Sequence, residues 1–259
     1  MRFFFFLPFI LIGSTMKDCD LVSIRVNGNE KGSITVERYI IYKEDSLSVK
    51  PLNNRDFFVH VKNINGRVDI QKSKDDSVRL KYEVKKRKKS KIFGDKFKVK
   101  QSASSRGIDF TVEKSKNYVV NITLKIPEIG KLETESVNGS ISFDGDVDKC
   151  NLSTTNGTIS INGKGQFFVN TVNGSISGDI IPTNNSEFKT VNGGIGISLI
   201  GDDLSVSASV INGVLQISGF DKVDKKGRWT MKKAEAIVGN GKINVKVAST
   251  NGAIYIKRR

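Results

Sequence analysis

Histidine, tryptophan and cysteine are almost missing from this chain, which has one His, one Trp and two Cys among 259 residues. Transition-metal sites draw three or four ligands mainly from His and Cys, and the sequence offers no such constellation. A Ser-His-Asp triad would have to use His60, and no Gly-x-Ser-x-Gly elbow accompanies it. His60 stands between Val59 and Val61 and reads as a solvent-facing strand residue. Proline is scarce, and past the first dozen residues there is no long apolar run, so no further segment is expected to span a membrane as a helix. No stretch shows sustained helical periodicity, and no glycine-rich phosphate loop is present. Acidic residues are outnumbered, 27 against 42 basic. Asp144, Asp146 and Asp148 alternate and could face a calcium ion together, but they read first as a turn and its solvated edge. No Asp, Glu or Arg recurs in a fixed place, as the carboxylate cluster of a glycan-cleaving solenoid would require. A polysaccharide-active enzyme is therefore the least favoured reading, and a non-catalytic protein with no cofactor is expected.

What is present begins with Met1 and Arg2, an apolar stretch over residues 3–12, and the small residues Gly13, Ser14 and Thr15. A basic start, about ten apolar residues and a small-residue exit describe a secretory signal over 1–14. The expected location is extracytoplasmic: periplasm, outer-membrane surface or secreted. Cys19 follows closely enough to raise a lipid anchor, although Met16, Lys17 and Asp18 stand where lipoprotein signals place Leu and small residues. The formal charge is +15, and only Arg2 is charged within 1–14, so the rest keeps +14. Such a surface attracts polyanions in a salt-sensitive way. For an exported chain the expected partners are anionic envelope or host glycans, lipid head groups, or another surface protein. Specific nucleic-acid binding is not expected, because neither a recognition helix nor interleaved exposed aromatics can be found. Lys85, Lys86, Arg87, Lys88, Lys89 and Lys91 form the densest basic run and are the candidate binding residues. The plainer reading of the same run is a solvated loop between two strands.

Asn-Gly recurs at Asn65, Asn138, Asn156, Asn173, Asn192, Asn212 and Asn251, and from Asn138 to Asn212 the steps are 18, 17, 19 and 20 residues. Counted from each Asn, apolar residues keep one phase. Three places on stand Val68, Ile141, Ile159, Ile176, Ile195, Leu215 and Ile254; five places on stand Ile70, Phe143, Ile161, Ile197, Ile217 and Ile256, with Gly178 the exception. Four places before stand Val61, Leu152, Val169, Phe188, Ala208 and Val247, with Thr134 polar; six before stand Val59, Leu132, Cys150, Phe167, Val206 and Val245. Period-two alternation on both sides of a turn makes each unit two half-buried strands. Asn-Gly suits a bend with positive φ. Phase alone leaves open whether the bend is a hairpin or an arc. One turn word repeated every 17–20 residues favours a β-solenoid with identical residues in columns over an antiparallel hairpin meander. Cys150, in an inward phase, reads as a small buried residue rather than half of a disulfide with Cys19.

Between residues 119 and 142 a strand ends at Pro127, a second strand carries Leu132, and Val-Asn-Gly-Ser-Ile-Ser opens the repeat. This pattern resembles a bacterial family of unknown function known as "putative adhesins", over about residues 57–259. The resemblance implies an extracytoplasmic, solenoid-like β domain at the cell envelope and supplies no catalytic residues. The basic run and the first strands match it less well.

The expected organisation is a signal at 1–14, a less regular N-terminal β region at 15–118 with a basic loop at 85–91, and an all-β solenoid at 119–259. Residues 221–228 break the spacing and read as an insertion. The expected function is an exported adhesin or polymer-binding protein, with a self-associating envelope scaffold as the alternative. Lys257, Arg258 and Arg259 look like a charged block on an open strand edge.

Overall fold

The computed structural model describes residues 13–15, 20–26, 34–87, 98–114, 117–227 and 231–259. The strands run in order β1 (Gly13–Thr15), β2 (Asp20–Val26), β3 (Ile34–Val49), β4 (Phe58–Asn65), β5 (Val68–Lys72), β6 (Val78–Arg87), β7 (Lys98–Ser104), β8 (Gly107–Lys114) and β9 (Tyr118–Ile126). They continue as β10 (Ile129–Asn138), β11 (Ile141–Asn156), β12 (Ile159–Asn173), β13 (Ile176–Pro182), β14 (Ser186–Asn192), β15 (Ile195–Leu199) and β16 (Leu204–Asn212). The last are β17 (Leu215–Ser218), β18 (Lys222–Lys226), β19 (Lys232–Val238), β20 (Ile243–Asn251) and β21 (Ile254–Arg258). The fold is all-β, and among the described residues no helix is long and apolar enough to cross a membrane.

The segments on the two sides of each Asn-Gly do not fold back on each other as an antiparallel hairpin; the pairings of these coils are parallel. β4 pairs in parallel with β10, and β5 in parallel with β11. Each Asn-Gly is therefore an arc between two walls, and the solenoid prevails over the meander. The first wall runs β7, β8, β4, β10, then the later halves of β11 and β12, then β14, β20, β16, β19 and β18. The second runs β3, β6, β9, β5, the earlier halves of β11 and β12, then β13, β15, β21 and β17. β1 and β2 pair with β3. β11 passes from one wall to the other at an irregularity between Asp146 and Lys149. The inward phases of both walls meet in one core, in which Val59, Val61, Ile70, Phe167, Phe188 and Val245 are fully buried. Cys150 lies there as a free thiol, and burial pushes its pKa up; Cys19 lies outside the described residues. The stack already includes the Asn65 coil, which belongs to the N-terminal half of the chain.

Parallel register puts each Asn on the next, and the side chains form a polarised ladder. Asn138 donates through Nδ2 to Asn65 Oδ1 at 3.0 Å, and the same bond runs from Asn156 to Asn138, Asn173 to Asn156 and Asn192 to Asn173 at 2.8–2.9 Å. Asn251 then donates to Asn192, and Asn212 to Asn251, both at 2.9 Å. Two places before the Asn the inward residue is Thr or Ser, except for Asn63 and Val210. Thr154, Thr171, Thr190 and Ser249 each donate a hydroxyl to the glycine carbonyl of the neighbouring coil at 3.0–3.2 Å. Ser136 has no such bond because Asn63 Nδ2 already occupies the Gly66 carbonyl.

The reason for glycine differs from the one the sequence suggests. Of the seven motif glycines only Gly66 (φ 116°) and Gly252 (φ 159°) have positive φ. The common constraint is the next coil: a Cβ at Gly139, Gly157, Gly174, Gly193 or Gly252 would lie 1.8–2.1 Å from the carbonyl oxygen of the stacked glycine. Gly178, the break in the apolar column, combines φ 144° with a Cβ position 1.8 Å from Ile161 O.

The order of coils also departs from chain order. β20 lies between β14 and β16, and β21 between β15 and β17. The last coil in sequence is thus inserted beneath the Asn212 coil. Within the expected insertion, β18 pairs antiparallel with β19, and β19 pairs along β16. The C-terminal basic residues are consequently not an edge block. Arg258 binds the Gly201 carbonyl at 3.1 Å and Asp202 at 2.5 Å, and Arg259 binds Asp179 at 2.7 Å. On the first wall the edge at this end is β18, where Lys222, Lys225 and Lys226 stand, so lysines protect that edge instead.

Two outcomes follow for stability. Gly174→Ala should cost about 3 kcal/mol, Asn173→Ala about 1 kcal/mol, and Asn212→Ala, which loses one ladder bond rather than two, about half that; urea unfolding of the three variants checks the order. The Asp203 carboxylate accepts the Lys242 backbone N–H at 3.1 Å, and this bond, with the Asn240 and Gly241 amides adding to it, lowers its pKa. Its contribution is present above the ordinary Asp value of about 3.9 and is lost as pH falls through the lower folded value. Hydrogen-exchange protection of residues 240–242 should therefore fall in that acid window and stay constant above it.

Candidate functional site

The registered coils carry their outward residues into columns as strictly as their inward ones. On the first wall the outward places lie one, three, five and seven before each Asn. Seven before, Lys131 lies over the Phe58 ring at 4.9 Å and Lys149 over the Phe168 ring at 5.1 Å. Phe168, five before Asn173, is half-buried on this outer face, while its neighbour Phe167 points into the core. A shallow hollow of about 340 Å³ on one side of Phe168 is lined by Glu133, Lys149, Asn151 and Asn170. A second, of about 310 Å³, shares Phe168 and adds Asn185, Glu187, Asn244 and Lys246. The Oδ1 atoms of Asn151 and Asn244, one in each hollow, are buried without a hydrogen-bond partner. An aromatic face, amides and two lysines converge here, which can stack on an apolar ring face, bond hydroxyls and pair with an anion.

A third hollow, of about 700 Å³, lies beside the Asn ladder and includes Val172, Val191, Ile211 and Met231, with Lys189 and Lys233. Val137, Val172, Val191 and Ile211 all stand one place before an Asn and are 39–42 % exposed. Thr155, Thr250 and the partly buried Ile64 complete the column. This stripe escaped the sequence reading, although its signal was present: an apolar residue recurring at an odd offset from the Asn is out of phase with the core.

His60 is on the same wall, stacked on Phe58 with its Nδ1 3.1 Å from Asp109 Oδ2. Asp146 of the alternating acidic set is bound to Lys72 at 2.7 Å. The basic run is placed elsewhere. Lys85 and Lys86 belong to β6 in the second wall, where Lys85 pairs with Glu83 at 3.3 Å and Lys86 lies 6.0 Å from the Tyr118 ring. They are strand residues rather than loop residues. Arg87 ends β6; Lys88, Lys89 and Lys91 lie outside the described residues, as does Cys19.

Among solved structures the chain is similar to a "putative cell adhesion protein" from Clostridium sporogenes, at 14% identity and a TM-score of 0.43, covering 83% of this chain and 99% of that one. It is also similar to a "putative adhesin" from Bacteroides fragilis, at 11% identity and a TM-score of 0.34, covering 83% of this chain and 97% of that one. A "putative adhesin" from Parabacteroides distasonis follows at 7% identity and 0.32, with the same coverages. No family model matches the chain, and no curated protein matches it.

The outward and inward columns should respond oppositely to one substitution. Val172→Thr and Val191→Thr copy Thr155 and Thr250 and should leave stability within about 0.5 kcal/mol. Val169→Thr, three residues away but fully buried, should cost about 1–3 kcal/mol; urea unfolding distinguishes them.

Proposed function

We propose that this protein is an exported, non-catalytic adhesin of the cell envelope or surface that holds an anionic glycan along the outer face of its first wall. One observation carries the reading: Phe168, with Lys149 over its ring, sits between two hollows lined by asparagines and lysines, with Glu133, Glu135 and Glu187 at their margins. The coil spacing of about 4.8 Å gives a straight, regular surface suited to an extended polymer rather than a compact ligand. The net charge of +15 favours an acidic one. Lys85 and Lys86, with the rest of the basic run, are proposed as a secondary contact for the same polyanion. The adhesin description of the structural neighbours agrees in kind, at a similarity too low to add weight.

Binding to immobilised polyuronate and to a neutral glucan, measured across a salt series, tests the reading. The wild type should bind the polyuronate alone, less at high salt. Phe168→Ala and Lys149→Gln should each weaken binding about tenfold, which is about 1.4 kcal/mol. Equal binding by wild type and both variants would remove this face from the site. Protease accessibility on intact against lysed cells tests the location: protection until lysis would rule out surface adhesion.

A further inference from the structure

The C-terminal coil occupies a position that its place in the chain does not explain. β20 is paired in parallel on both sides, with β14 and β16, and β21 likewise with β15 and β17. Asn251 completes the ladder between Asn192 and Asn212, and a Cβ at Gly252 would lie 1.9 Å from Gly193 O. The groups that receive this coil are therefore presented by residues 179–218, which precede it in the chain. Between them they form a slot with four strand edges, two on each wall, a fixed register and a steric demand for glycine at one point.

The coil is joined to the rest by a short bridge. β19 and β20 lie on opposite sides of β16, with Val238 and Ile243 both opposite Leu204. Residues 239–242 cross the start of β16, bent at Gly239 (φ 60°) and Gly241 (φ 67°) and held by Asp203. The span is two strand spacings, about 9.6 Å. Opening this bend breaks few bonds outside the bridge itself, and a compact hinge joining an otherwise complete element is the geometry from which identical elements exchange.

We propose that residues 243–259 are an exchangeable insert, and that the slot between the Asn192 and Asn212 coils accepts this segment from a second copy of the chain, giving a reciprocal dimer. The exchanged dimer makes the same strand pairings, the same asparagine ladder and the same Arg258–Asp202 and Arg259–Asp179 contacts as the closed monomer. Only the course of 239–242 differs. Every residue that lines the slot precedes residue 243 in the chain, so the segment of a neighbouring copy meets the same edges as the chain's own. This proposal does not rest on the glycan-binding reading, although the exchanged segment carries Asn244 and Lys246 of the second hollow.

The test uses the full chain with residues 240–242 deleted. Gly239 alone then joins β19 to β20, and its two Cα steps reach about 7 Å, short of the span. Sedimentation velocity should show a folded all-β dimer that survives hundredfold dilution, with a larger dimer fraction than the wild type. A folded monomer from the deletion overturns the proposal. A second variant covers the case in which the deletion does not fold. The full-length Gly252→Val chain cannot seat its own coil, so on refolding it should capture a synthetic peptide of residues 240–259 one to one, with a rise in Tm. The same peptide carrying Gly252→Val should not be captured. Failure to capture the wild-type peptide, or equal capture of both peptides, overturns the proposal.

Discussion

Backbone-on-backbone stacking at the Asn-Gly arcs is the contact on which this molecule depends. Successive glycines approach so closely that a single Cβ would overlap the carbonyl of the next coil. That approach brings each Asn amide onto its neighbour and each inward Thr or Ser hydroxyl onto a glycine carbonyl. Polar atoms at the arcs are thereby satisfied within the stack. The register that results also aligns the Ile, Val and Phe columns in the core, so burial of apolar area and closure of the arcs reinforce each other. Where the pattern is interrupted the cost is visible: Asn63 takes the carbonyl that Ser136 would use, and Ser136 Oγ and Thr134 Oγ1 are left buried without partners.

A solenoid of this kind leaves its last strand edges open, and the hairpin β18–β19 answers that need on the first wall. It pairs antiparallel with β16 and presents Lys222, Lys225 and Lys226 outward. Because the hairpin takes the outer edge of β16, the final coil has no place beyond it and pairs instead on the inner side of the same strand. The cap and the out-of-order insertion thus use the two edges of one strand. Arg258 and Arg259, which read as an edge guard, become surface ties between coils, to Asp202 and Asp179, for the same reason.

The candidate site is a by-product of the same regularity. A stack that forces equivalent inward residues into columns does the same to those facing solvent. Phe168 lies outward because Phe167 lies inward, and Lys149 reaches its ring because Lys149 and Gln166 are paired neighbours. The dense basic run, in contrast, begins on a strand of the other wall, where Lys85 and Lys86 already have partners.

Most of the architecture was legible in the chain itself. The repeat length, the inward phase, the buried Cys150 and the insertion ahead of residue 229 all follow from local patterning, since a period of two and a recurring turn word define half-buried strands wherever they end up. The Val-Asn-Gly stripe was legible too, as an apolar residue at an odd offset, but it hides inside a motif that draws attention to its turn. The role of glycine was not legible, because it depends on the carbonyl of another coil rather than on local φ. Nor was the order of the coils. The step from Asn192 to Asn212 looks like any other, and every coil presents the same edge to every other. By itself the sequence determined the shape of one coil and which of its residues face inward. Which coil lies on which was decided only in three dimensions, by competition between β19 and β20 for the two edges of β16.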